Sequence, residues 1–215
     1  MLVTVFKQIL SGLRQGDASV PSAVKRRHGS WHPADLAWLA GLVTDVPGDF
    51  AEIGVFKGAA FRVLAPLAYS QDRIAHAFDS FRGMAPPRVA GDECYGTGQF
   101  DIGGPEEFIK LMDGAGVRRD IYQLWAGYIP ECFARVPDSL RFALAVLDVD
   151  HYEPTAEGLR WLEPRISPGG ILALDDYLEG YTTLASGAIK RFLATDTKFD
   201  KVAYFNQQLI LRKRL

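Results

Sequence analysis

The chain has little cysteine: two residues in 215, Cys94 and Cys132, at no spacing that holds a metal. A structural disulfide is therefore not expected, and a reduced, cytoplasmic setting is the plain reading. Charge of one sign is not in excess either. The formal net charge is −2 and the pI about 6.1, so no broad basic face offers itself to nucleic acid. The short basic runs Lys25-Arg26-Arg27 and Arg212-Lys213-Arg214 read as solvated surface. There is no long hydrophobic run. The opening stretch from Met1 to Leu10 is too short and interrupted to span a membrane, and it has neither the apolar core nor the cleavage site of a signal peptide. Also missing is the Gly-x-Gly-x-x-Gly turn that cradles a pyrophosphate.

What is present suits a globular enzyme-sized domain, with 48% hydrophobic and 23% charged residues. Leu2, Phe6, Ile9, Leu10 and Leu13 recur at helical spacing. Packing of that helix on a second subunit favours a homodimer or higher homo-oligomer. A second helix is expected after Pro33, with Leu36, Leu39, Leu42 and Val43 on its apolar side. Residues 1–47 thus read as a helical extension, and 48–215 as the main domain.

From Asp49 the rhythm changes to βαβ units. Strands are expected at Phe50–Val55, Ile74–Phe78, Ile121–Trp125, Phe142–Leu147 and Gly170–Leu174, with helices near Gly58–Tyr69, Glu106–Gly114, Ile129–Arg135 and Thr155–Pro164. Lys198–Phe205 and Gln208–Arg212, split by Asn206-Gln207, read as an antiparallel hairpin. That is an α/β, Rossmann-like fold of the class I methyltransferase type: a mostly parallel seven-stranded sheet, a C-terminal antiparallel hairpin and helices on both faces. Ser80 to Pro105 is rich in Gly and Pro and long for a compact domain, which assigns it to the wall of a binding site.

The first strand runs into Glu52-Ile53-Gly54-Val55-Phe56-Lys57-Gly58, an acidic-x-Gly-x-x-x-Gly turn. Without a pyrophosphate cradle, it suits S-adenosylmethionine, whose methionine end carries an ammonium that Glu52 can hold directly or through water. Asp79, at the end of the second strand and followed by Ser80, stands where a carboxylate accepts from ribose hydroxyls. Gly127 and Tyr128 follow the third strand and can flank the adenine.

The fourth strand ends in Asp148-Val149-Asp150 and the fifth in Asp175-Asp176. Residues two apart on a strand project to one side, so Asp148 and Asp150 are expected together. If the two strands are neighbours, four carboxylates converge. Mutual repulsion then calls for a hard divalent cation, magnesium or calcium. Taken singly, Asp150 or Glu153 would instead cap the helix that follows.

Glu-Ile-Gly-Val-x-x-Gly, Asp79-Ser80-Phe81-x-Gly83, Leu147-Asp148-Val149-Asp150-x-Tyr152-Glu153-x-Thr155 and Ser167-Pro168-Gly169-Gly170 with Asp175-Asp176-Tyr177 together resemble the macrocin O-methyltransferase (TylF-like) family. The resemblance runs from about Gly48 to Tyr177. It implies an S-adenosylmethionine-dependent O-methyltransferase that uses magnesium and acts on a hydroxyl of a small molecule such as a natural-product sugar. By motif it makes Asp148, Asp175 and Asp176 the metal ligands and Asp150 the general base. Glu52, Gly54 and Asp79 become cofactor contacts by motif, and the reading of the strand ends adds Val55, Gly58, Ser80, Gly127 and Tyr128. His151 departs from the pattern, where an aliphatic residue is usual, and the stretch from Leu178 to Thr183 is longer than expected.

A vicinal diol is the expected acceptor, because it would chelate the cation. His28 and His32 are candidate contacts from a closing segment. The rivals are a nucleotide-binding NAD(P)-type oxidoreductase, disfavoured by the missing pyrophosphate turn, and an inactive methyltransferase-fold scaffold, disfavoured because every acidic position is filled.

Overall fold

A computed structural model describes residues 31–90, 92, 95–178, 184–195 and 197–215. The segment at 2–13, on which the expectation of self-association rests, lies outside them, as do His28 and residues 179–183. Among the described residues no helix is long and apolar enough to cross a membrane.

Helix α1 (Pro33–Gly41) opens with a capping box. Nδ1 of His32 accepts from the Ala34 N–H, and Asp35 Oδ2 accepts from the His32 N–H at 3.0 Å. Pro33, already locked near helical φ, takes the first position, where a missing N–H costs nothing. The alternation that follows is β1 (Asp49–Ile53), α2 (Phe61–Tyr69), β2 (Ala75–Asp79), α3 (Pro105–Gly114), β3 (Tyr122–Ala126), β4 (Phe142–Leu147), α4 (Tyr152–Leu162), β5 (Ile166–Leu174), α5 (Leu184–Leu193), β6 (Phe199–Phe205) and β7 (Gln208–Lys213). The seven strands form one sheet in the order β3-β2-β1-β4-β5-β7-β6, with β7 antiparallel to both β5 and β6.

Central strands read as unbroken apolar runs because helices cover both faces; all six residues of β4 are buried. One face packs Leu36 and Leu39 of α1, Leu64 of α2 and Phe108 of α3 against Phe50, Leu144 and Ile210. The other packs Leu159 of α4, Ile189 of α5 and Phe133 against Ile53, Ala145 and Leu172. Trp31, Leu36, Leu39 and Val43 pack into the first of these cores.

Three details depart from the sequence expectation. Ile129–Arg135 is not an α-helix but a short 3-10 turn at Glu131–Arg135. β5 begins at Ile166 rather than Gly170, since the turn residues Pro168 and Gly169 are carried inside the strand with a register shift against β4. A helix that periodicity did not mark, α5, follows β5 and packs on α4 and, through Phe192, on Phe199 of the hairpin; Ser186 and Gly187 weaken its local signal.

Candidate active site

Parallel strands deliver their C-terminal ends to one edge, and a strand order that reverses there opens a crevice. Here β1 and β4 are neighbours, and β4 pairs with β5 in the register Leu147 with Leu174. Asp148 and Asp175 therefore leave the sheet side by side, which meets the condition set by the sequence. The edge opens on a cavity of about 930 Å³, a volume within the usual range for ligand sites. Gly54, Asp79, Ser80, Gly127, Tyr128, Asp148, Asp150, Asp175 and Asp176 all line it.

The aspartates meet by a route other than strand alternation. β4 ends at Leu147, and Asp150 reaches the cluster from a left-handed backbone, φ 59°; Asp176 does the same at φ 56°. Non-glycine residues rarely stay there unless their surroundings hold them, and such strain concentrates at functional sites. Asp148, Asp150 and Asp176 offer oxygens within 4.8 Å of one another. Asp175 lines the same cavity next to Asp148, and Asp150 stands as near to Asp148 and Asp176 as a ligand would.

Burial is the first cause that pushes all four carboxyls above their usual range, and neighbouring carboxylates add to it for Asp148, Asp150 and Asp175. Asp148 is driven well up, while Asp150 and Asp175 rise to about 7. An oxygen-only set under that much repulsion fits a hard divalent cation such as magnesium.

The glycine turn is built differently from expectation. Asp79 Oδ2 accepts from the N–H groups of Val55 and Phe56, both at 2.8 Å, and Oδ1 accepts from Phe81 N–H at 2.7 Å. Asp79 therefore pins the β1 turn to β2. Gly54 is needed for a close approach between chains, since a Cβ there would lie 1.6 Å from the Asp148 carbonyl oxygen. Val55 is buried in the core, and Gly58 makes room for Met112 and Phe108; neither lines the cavity. Glu52 is also absent from the cavity wall. It is 3% exposed, its Oε2 has no hydrogen-bond partner, and burial together with the Asp79 charge raises its pKa well above the carboxylate range. Trp125 belongs to the core, where its indole donates to His76 Nδ1 at 3.0 Å and stacks on Phe78.

The described residues of the 80–105 segment are tied together and to the cavity wall. Met84 N–H donates to the Gln99 carbonyl (2.8 Å), Gly98 N–H to that of Met84 (2.9 Å), and Ser80 Oγ to that of Gly83 (2.9 Å). Residues Gly83 to Arg88, Asp92 and Phe100 face the cavity. Asp92, 1% exposed, caps α4 by accepting from the Tyr152 N–H at 2.9 Å. Sequence reasoning offered that cap to Asp150 or Glu153; the partner came from 60 positions away, which no local pattern signals. Phe56, Phe100, Asn206 and Gln207 were likewise missed as lining residues. His151, flagged as a departure, is 3% exposed on the cavity wall, and its Nε2 has no hydrogen-bond partner.

A seven-stranded sheet of this order, with its glycine turn and acidic strand ends around one cavity, defines the class I methyltransferase fold. The chain belongs to the macrocin-O-methyltransferase (TylF) family, whose model matches residues 39–201. Among curated relatives, it is 30% identical to the 8-demethyl-8-(2,3-dimethoxy-alpha-L-rhamnosyl)-tetracenomycin-C 4'-O-methyltransferase of Streptomyces olivaceus, over 63% of this chain and 55% of that one. The matches span 54–63% of the length of the curated relatives. Two solved structures share the fold. The O-methyltransferase NovP superposes with a TM-score of 0.73 at 20% identity, covering 100% of this chain and 98% of that one. CalS11, a TDP-rhamnose 3'-O-methyltransferase, gives 0.61 at 24% identity, with 97% and 93% covered.

Proposed function

We propose that the chain is an S-adenosylmethionine-dependent, divalent-metal-dependent O-methyltransferase acting on a sugar hydroxyl of a small molecule, with a vicinal diol as the acceptor. The observation that carries the metal-dependent part is the set of three aspartate oxygens within 4.8 Å, at the sheet edge that this fold uses for ligands. S-adenosylmethionine supplies an electrophilic methyl on a sulfonium that departs as a neutral thioether. A divalent cation supplies Lewis acidity, which lowers the acceptor pKa and fixes the position of its oxygen.

The chain's own residues do the rest. Asp148 and Asp176 would hold the cation, with Asp175 beside Asp148 at the same edge as a third ligand. Asp150 takes the acceptor proton. A base serving a hydroxyl at the cation must stand within a few ångströms of the ligands, where Asp150 stands. Asp79 keeps the β1 turn in shape for the donor through its three backbone hydrogen bonds, while Gly127 and Tyr128 wall the adenine end. Gly83 to Arg88, Asp92 and Phe100 line the acceptor side.

Rhamnose stands in the names of two relatives, so rhamnosides are the first acceptors to assay. With magnesium and the methyl donor, Asp150→Asn is expected to lower kcat by ~10²–10⁴ while leaving donor binding intact and weakening metal binding less than Asp148→Asn does. Asp148→Asn is expected to abolish metal binding. Turnover indifferent to chelator and to both substitutions would overturn the reading. Tight NAD binding with no response to the methyl donor would favour the oxidoreductase instead.

A further inference from the structure

The hairpin that closes the sheet takes no part in the chemistry above, yet its turn stands beside the aspartates. Asn206 and Gln207, the two turn residues, both line the cavity. Both hold left-handed backbones, φ 49° and 68°, the conformation that a two-residue turn needs to match the twist of its strands. Asparagine tolerates that region, but glutamine rarely enters it, and glycine is the usual second residue. Something must therefore hold Gln207 in place. Its carbonyl accepts from the Tyr177 N–H at 2.8 Å, and Tyr177 directly follows Asp176.

That bond shows how the second aspartate pair is presented. β5 and β7 keep antiparallel register as far as Leu174 opposite Leu209. Between that pair and the bond from Tyr177 to Gln207, Asp175 and Asp176 on one chain stand against Gln208 alone on the other. Two residues facing one make a bulge, a device that bends a strand end and re-aims its side chains. The left-handed φ of 56° at Asp176 belongs to it. Gln208, the residue opposite, is 0% exposed, and neither its Oε1 nor its Nε2 has a hydrogen-bond partner. Side chains two apart share a face. Ala173 and Ile210 lie together in the core that α1 covers, and Asp175 and Gln208 continue that face side by side. Burial and then the Asp176 charge push the Asp175 carboxyl up, while the Gln208 amide is among the groups that pull it back. A buried amide left unpaired is expensive, so its place against the bulge calls for a reason.

Taking the divalent-metal reading as given, we infer that Gln208 is a positioning residue for the cation site, whose amide N–H donates to the Asp175 carboxylate in the cation-loaded chain and fixes its orientation. The hairpin is then a working part of the site. Its turn holds the backbone beside Asp176, and its first strand residue holds the side chain of Asp175. Ligand carboxylates are commonly held by such outer donors, and losing the donor weakens the metal while every ligand stays in the chain.

The test uses the full chain with magnesium chloride as the probe and no acceptor. Gln208→Met keeps the length of the side chain and removes the amide; Gln208→Asn keeps the amide on a shorter stem. Thermal melts in chelator and across a magnesium series give each protein its metal-free Tm and its magnesium dissociation constant. The metal-free Tm of Gln208→Met is expected at or above that of the parent, because an unpaired amide has left the core. Its magnesium dissociation constant should rise by ~10-fold, while that of the methyl donor stays within ~2-fold. Gln208→Asn should bind magnesium more tightly than Gln208→Met. A magnesium constant for Gln208→Met within ~2-fold of the parent overturns the inference and leaves the metal-dependent reading standing. A metal-free Tm well below the parent's gives the amide a structural partner in the metal-free chain and overturns it too, as does Gln208→Asn binding no better than Gln208→Met. A parent that does not respond to magnesium overturns the metal-dependent reading and the inference with it.

Discussion

Glu52 sits buried on β1 with one carboxylate oxygen lacking a partner and the Asp79 charge nearby. Its carboxyl is therefore harder to ionise in the folded chain than in the unfolded one. Over the range between those two pKa values the folded state binds more protons, so stability falls as pH rises above the unfolded carboxylate value, about 4.5. Glu52→Gln removes the ionisation and keeps the shape. Without cofactor, the variant should match the parent near pH 4.5 and exceed it increasingly toward pH 8. The gain should be ~1–2 kcal/mol, the scale of a buried polar group relieved of charge. Thermal melts across that range check it; a gap that narrows with rising pH would show that a cation or donated hydrogen bond already satisfies Glu52. His32 and Asp35 show the opposite case, two polar groups whose partners lie within three residues, although the sequence reading marked only Pro33 there.

Between elements the two informative contacts are the β1–β4 approach and the cap of α4. Gly54→Ala would drive a methyl into the Asp148 carbonyl oxygen at 1.6 Å from a backbone at φ 86°, while a methyl at Gly96 meets nothing within 4 Å. Gly54→Ala should lose several kcal/mol or fail to fold, and Gly96→Ala should melt within ~0.5 kcal/mol of the parent. Asp92→Ala removes the cap of α4 and one tie of the 80–105 wall. It should cost ~1 kcal/mol, speed amide exchange over 84–99 and raise KM for the acceptor; unchanged exchange would show the wall is held elsewhere. The same contacts mark what the sequence can and cannot disclose. Period and turn chemistry exposed the order of strands and the hairpin, because each element's own residues encode them. The two aspartate pairs were legible because strand ends are. The capping Asp92 and the lining residues Phe56, Phe100, Asn206 and Gln207 depend on which segments meet across the edge, and no local pattern carries that. α5 escaped because its helical signal is diluted by Ser186 and Gly187, and packing on α4 and the hairpin decides it.

At the scale of the molecule, a net charge of −2 conceals a strong asymmetry. Strands β2, β4 and β5 deliver carboxylates to one edge, while Arg73 is spent on the Gly48, Val43 and Thr44 carbonyls. Crowding Asp148, Asp150, Asp175 and Asp176 is a standing cost to the folded chain that a bound cation offsets. Folding and metal binding must then be linked, because the unfolded chain has no such site. Magnesium at a hundred times its dissociation constant adds ~2.7 kcal/mol to unfolding, which for a chain of this length is ~5–10 °C in Tm. Asp148→Asn lowers the repulsion and removes a ligand together. Its metal-free Tm should therefore exceed that of the parent, while its response to magnesium disappears. Melts of both proteins in chelator and in magnesium decide the matter: a parent that melts at one temperature in both conditions has no cation site at this edge. If it responds and Asp148→Asn responds equally, the site lies elsewhere, and the aspartate cluster would need another reason to exist.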